Sequence, residues 1–164
     1  MTWATCSGRW PTSTPAERRE AVREAQVRFY LDADILGLAK ILTQLRADVT
    51  YPGDPGGVVR KRLRPACLIT TPATKDSVWI PQVTALGWLI VTRDSKIQSH
   101  RAEVGAVREH RARMVALAGR EAVDTWHQLE VFMEQWRAIE RLTQEPGPFI
   151  YSITRTALRP IDLE

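Results

Sequence analysis

The 164-residue chain is predicted to be an α/β protein, a three-layer α/β/α sandwich around a mainly parallel sheet. Three observations predict it. Short apolar runs of strand length, VRFYLD (27–32), WLIVT (88–92) and MVALAG (114–119), alternate with longer stretches of helical period. Strands alternating with helices imply right-handed β-α-β crossovers, which lay helices on both faces of a parallel sheet. The length suits one domain of roughly 100–200 residues with a core of its own, and a hydrophobic share of 44% excludes wholesale disorder.

The elements follow in order. Residues 1–16 are rich in Ser, Thr and Pro and lack periodicity, so they read as a poorly ordered tail before a single domain over 17–164. ERREAVREA (17–25) reads as a short charged helix, and VRFYLD as a buried strand ending in an acid. In ADILGLAKILTQLRA (33–47), Ile35, Leu38, Ile41, Leu42 and Leu45 share one helical face. A short strand at 48–51 ends at PGDPGG, which suits neither helix nor strand; Asp54 there reads as a turn residue. VRKRLRPACLITTPAT (59–74) reads as loop. KDSVWIPQVTALG (75–87) reads as a helix opened by an acid and closed by Gly87, with Pro81 restricting or kinking it. RAEVGAVREHRA (101–112) reads as a charged helix. Residues 120–144 read as one long helix with Val123, Trp126, Leu129, Met133, Trp136 and Ile139 along one side. The closing segment holds a final strand.

Composition narrows the function. Cys6 and Cys67 form no C-x-x-C pair and no zinc spacing with His100, His110 or His127, so free thiols in a reducing cytosol are expected. No apolar run approaches the ~18 residues of a membrane span. The first twenty residues lack the apolar stretch of a secretory signal, and a cytoplasmic protein is expected. There is no G-x-G-x-x-G, so a dinucleotide site has no support.

Chemistry in open parallel sheets collects at the carboxyl ends of the strands. Asp32 ends the first strand, Asp94 lies just beyond WLIVT, and Asp76 opens the helix before it. For the three to meet, the loop before Asp76 must carry it over the same edge. Two like charges 4 Å apart repel by ~4 kcal/mol at an effective dielectric of 20, so such a cluster needs protons or a cation. Oxygen-only ligands select Mg²⁺ or Mn²⁺ over zinc, and the chemistry implied is metal-dependent phosphoryl hydrolysis. The plain alternative is capping: Asp34 suits the N-cap of the following helix.

FYLDADIL followed by DSVWIPQVTALGWLIVTRDSKI resembles the PIN-like nuclease domains, in particular a small bacterial group related to VapC-type toxins. The resemblance covers about residues 27–117 and lies in Asp32 with Asp34, in Asp76, and in Thr92-Arg93-Asp94 after a hydrophobic strand. It implies a metal-dependent ribonuclease. Asp32, Asp76 and Asp94 would hold Mg²⁺ or Mn²⁺, with Thr92 as a supporting hydroxyl. A cognate antitoxin and a homodimer are the implied protein partners. Where many relatives carry a fourth acid soon after the T-x-D, this chain has Glu103 as its nearest candidate. Many relatives also use Glu where this chain has Asp76.

The net charge is +4, but the basic residues cluster. RKRLR (60–64) holds four cations and no acid, and residues 93–120 hold seven against three acids. They flank the acids in sequence, so Arg60, Lys61, Arg62, Arg93 and Lys96 are the expected contacts to RNA phosphates. Two rival readings remain. A haloacid-dehalogenase-type phosphatase would use the D-x-D of Asp32 and Asp34, although no adjacent Asp-Asp pair accompanies it. An interaction module would use the acids only as caps.

Overall fold

The computed structural model describes residues 22–93, 101–119 and 122–164. Its centre is a six-stranded sheet of β2 (Phe29–Leu31), β3 (Val49–Thr50), β6 (Leu89–Thr92), β7 (Arg113–Leu117), β8 (Phe149–Ile153) and β9 (Leu158–Ile161). The spatial order is β3-β2-β6-β7-β8-β9; all neighbours are parallel except β8 and β9. Side chains alternate across the sheet. Phe29, Leu31, Val91, Val115 and Ile153 enter one core; Tyr30, Ile90, Met114, Ala116 and Ile150 enter the other. Both faces are covered, which is why the strands read as continuous apolar runs. The α/β/α sandwich is therefore present as expected.

One face carries α1 (Leu36–Leu45), α4 (Thr125–Glu134) and α5 (Trp136–Leu142). The other carries α2 (Asp76–Ala85) and α3 (Arg101–His110). A 3-10 turn, Ala33–Ile35, leads into α1. Gly37 sits inside α1, where glycine costs about 1 kcal/mol relative to alanine. A Cβ there would run into the Thr125 side chain at the start of α4, so the glycine lets the two helices approach. The helix α2 passes through Pro81 without a break.

Several expectations are corrected. Arg23–Glu24, expected within a charged helix, form strand β1, which pairs with β5 (Arg62–Arg64). The stretch expected as loop contains a hairpin, β4 (Gly57–Val59) with β5. Its two-residue turn, Arg60-Lys61, has left-handed φ values of 48° and 63°. Such turns ordinarily carry Asn-Gly, so Arg-Lys gave no turn signal. Of the expected helical face, Ile35 in the 3-10 turn and Leu38 and Leu42 on α1 are buried, but Ile41 and Leu45 are exposed. Where one long helix was expected over 120–144, the described residues form two, Thr125–Glu134 and Trp136–Leu142, meeting at Gln135, whose side-chain amide donates to the carbonyls of Thr154 and Arg155. That bend turns Val131 and Phe132 of α4 and Ile139 of α5 into one core, and leaves Trp126 (66% exposed) and Met133 in solvent. Trp136 packs on Phe29 and Phe132. The final strand is joined by an unanticipated partner, β9. Cys67 is a buried free thiol, and burial pushes its pKa up.

Candidate active site at the carboxyl edge

The register of the two central strands builds the site. Leu31 of β2 pairs with Val91 of β6, so Asp32 emerges beside Thr92. The Asp32 amide donates to the Val91 carbonyl at 2.9 Å, which extends the ladder by one rung. The Asp32 carboxylate then stops the strand: Oδ1 accepts from the Ala33 amide at 2.5 Å and caps the 3-10 turn. Its Oδ2 lies 3.4 Å from Thr92 Oγ1. Asp34 Oδ2 accepts from the Arg93 amide at 2.9 Å and lies 3.2 Å from the same Thr92 hydroxyl. A hydroxyl has one proton to donate, so Thr92 can satisfy only one of these carboxylates at a time. Asp34 staples the turn to the end of β6; Asp32 keeps unused acceptor capacity beside it.

Asp76 reaches the same edge from the other face. Crossover helices run antiparallel to the strands, so the first turn of α2 falls at their carboxyl ends and its last turn feeds β6. No unusual loop path is required, contrary to the expectation. Asp76 is held there by a buried aromatic pair. Its Oδ1 accepts from Trp79 Nε1 at 2.9 Å, and the Trp79 ring packs on Tyr30 with centroids 4.9 Å apart.

The charges are not balanced. Burial raises the Asp32 carboxyl above the ordinary aspartate range; the charge of Asp76 pushes the same way, against the Ala33 amide and the Thr92 hydroxyl. Burial, and then the charges of Asp32, Cys67 and Asp76, push the Tyr30 phenol far up. Its hydroxyl is buried and, among the described residues, has no hydrogen-bond partner. A carboxylate raised first by burial and then by a second acid, with oxygen donors beside it, suits a hard divalent cation. Among the described residues no three His, Cys, Asp or Glu gather closely enough to hold a metal. The third expected ligand, Asp94, lies outside the described residues, as does Lys96.

Glu103 is in the first turn of α3, which returns toward the start of β7. Arg93 is exposed at the carboxyl edge. Arg60, Lys61 and Arg62 are not there. Arg60 and Arg62 line a cleft with Arg28 and Asp48, the residues that precede β2 and β3, at the opposite edge of the sheet. The reason is Arg64. Its guanidinium is buried against Asp54 at 2.7 Å and donates to the Thr43 carbonyl at the end of α1. Asp54 does cap its own turn, accepting from the Gly56 amide, but it is also half of a buried ion pair that folds the hairpin toward the amino edge. No spacing signal announces such a pair.

The PIN like domain family matches residues 27–119, more than half of the chain. The chain belongs to the PIN-like domain family. No curated protein and no solved structure matches it. PIN-like domains are typically nucleases and generally use divalent metal ions. The matched segment of this PIN-like chain runs from just before β2 to just past β7. It contains Asp32, Asp34, Asp76, Thr92 and Asp94.

Proposed function

We propose that this PIN-like protein is a metal-dependent endoribonuclease, the toxin of a toxin–antitoxin pair. One observation carries the nuclease reading: Asp32 at the end of β2 and Asp76 in the first turn of α2 both stand at the carboxyl edge, where burial first and then the charge of Asp76 raise the Asp32 pKa. Asp32, Asp76 and Asp94 would hold Mg²⁺ or Mn²⁺. Bound there, the ion supplies Lewis acidity and an acidified water for attack on a phosphodiester.

The chain's own residues do the rest. The Ala33 amide and the Thr92 hydroxyl orient the Asp32 carboxylate; Trp79 orients Asp76. Protons compete with a cation for the Asp32 carboxylate, so its raised pKa makes cation binding weaken as pH falls. Exposed Arg93 offers a charge to the substrate phosphate at the same edge. Asp34 is tied to the Arg93 amide, a poor position for the mobile acid/base of a D-x-D phosphatase. The toxin role, with RNA as substrate and an antitoxin as partner, rests on the resemblance of the LDAD and TRD segments to the VapC-type group. Exposed Trp126 and Met133 on α4 are the face available to that partner or to a second copy. No helix among the described residues is long and apolar enough to cross a membrane.

The test is Mn²⁺-dependent cleavage of a labelled RNA by the wild type, Asp94→Asn and Asp32→Asn, with melting curves for each. Loss of cleavage by roughly 100-fold or more, with the fold retained, is expected for both. Undiminished cleavage by Asp94→Asn would remove that residue from the site. Phosphate release from a small phosphomonoester, blocked by Asp32→Asn, would replace the nuclease with a phosphatase. Absence of any heat of Mn²⁺ binding would leave an interaction module.

A further inference from the structure

The amino edge of the sheet carries a second charged feature. An open cleft of about 420 Å³ is lined by Arg28, Arg46, Arg60 and Arg62, with Asp48 at its base. Two of the guanidiniums are held in place. Arg28 and Arg46 both grip the Asp48 carboxylate, with nitrogen–oxygen distances of 2.7–3.0 Å. Arg28 also reaches Glu140 of α5 at 3.3 Å, and the Arg46 guanidinium lies 4.0 Å from the centre of the Trp136 ring. The other two are not neutralised: among the described residues Arg60 and Arg62 have no carboxylate partner. Among the described residues, four guanidiniums therefore face two carboxylates, Asp48 and Glu140.

Two features of the hairpin add to this surplus. Arg62 pairs in register with Arg23 of β1, and both are exposed. Like charges directly opposite one another in a sheet are unfavourable. Arg60 adopts a left-handed φ of 48°, in a turn where Asn or Gly would be unstrained. The strained choice keeps a cation at the lip of the cleft.

We propose that this cleft binds the phosphodiester backbone of a single-stranded nucleic acid, as a docking site separate from the acids. The choice of ligand rests on the nuclease reading. Arginine forks match phosphate oxygens bidentately, and the pair preset by Asp48 loses little freedom on binding. Arg28 in the cleft and Asp32 lie on either side of β2, four residue steps apart at ~3.3 Å each, or roughly 13 Å. A strand of several nucleotides can occupy both edges; a dinucleoside phosphate cannot.

The test uses the variant Arg60→Asn with Arg62→Gln, which removes two charges while giving the turn a residue suited to its φ. Anisotropy of a labelled 12-nucleotide RNA is measured in EDTA across 50–200 mM salt. About tenfold weaker binding is expected, with the log–log salt slope shallower by about 1.4, two contacts at ~0.7 each. Cleavage of a dinucleoside phosphate should be unchanged, and inorganic phosphate should displace RNA only at far higher concentration. Unchanged RNA affinity and slope in a folded variant overturns the proposal. Displacement by phosphate at equal concentration overturns it in favour of a small-anion site. Tighter binding of an equally charged polyglutamate peptide overturns it in favour of an acidic protein segment. A wild type that cuts no RNA, yet loses RNA binding on the double substitution, supports the cleft and overturns only the nuclease reading.

Discussion

Asp32 and Asp48 are the same residue type at opposite ends of one sheet, and their surroundings treat them oppositely. Asp32 lies at the carboxyl edge with another acid near it, and burial together with that acid raises its pKa. Asp48 lies at the amino edge. Burial pushes it up as well, but the hydrogen bonds and charges of Arg46 and Arg28 outweigh this and leave it below the ordinary range. Desolvation is common to both; the neighbours decide the sign. An acid that is fully paired contributes to stability. An acid held against its own charge costs stability and is poised to take a cation.

The contrast can be broken at its strongest point first. Arg64→Met should leave Asp54 charged and buried without its partner, at a cost of about 3–5 kcal/mol in urea unfolding. A loss below 1 kcal/mol would mean that the hairpin is not anchored by this pair. Adding Mn²⁺ at 100 times its dissociation constant should stabilise the wild type by about 2.7 kcal/mol and Asp32→Asn by much less. Equal shifts would show that the ion binds elsewhere.

Asp48→Asn should cost about 1.5–3 kcal/mol, since charged hydrogen bonds to two arginines are lost. Asp32→Asn should be neutral or stabilising in metal-free buffer. The pH dependence separates the pair. The lowered pKa of Asp48 gives a contribution present above pH ~4, the unfolded value, and lost as pH falls through the folded value below it. The raised pKa of Asp32 gives a penalty that is full above its folded pKa and disappears as pH falls toward ~4. The stability gained by Asp32→Asn should therefore be greatest at neutral pH and shrink on acidification; a constant difference would contradict the pKa direction. The smallest effect is Tyr30→Phe. Removing a buried hydroxyl with no partner among the described residues should leave stability unchanged or raise it by up to about 1 kcal/mol.

Particular residues show how far the amino-acid sequence reaches. The central strands were readable because burial on both faces makes them apolar throughout, and Leu89–Thr92 needed no other signal. Asp32 was readable because it ends an apolar strand, whereas Asp76 was expected to need a special loop path and instead opens a crossover helix whose first turn already lies at the carboxyl ends. The hairpin Gly57–Arg64 was not, since its Arg-Lys turn lacks the usual glycine and its anchor, Asp54 to Arg64, is a contact between segments. The break at Gln135 was hidden for a similar reason: periodicity runs through it, and the bend depends on carbonyls of Thr154 and Arg155.

What the sequence determined by itself is the order of the central strands and the helices between them, with Asp32 at the end of the first strand. These follow from local period. What only the tertiary structure decided is where the basic residues stand. Proximity in sequence put RKRLR beside the acids. A single buried ion pair, whose strength comes from its low-dielectric surroundings, carries that hairpin to the other end of the sheet, where it lines a cleft of its own.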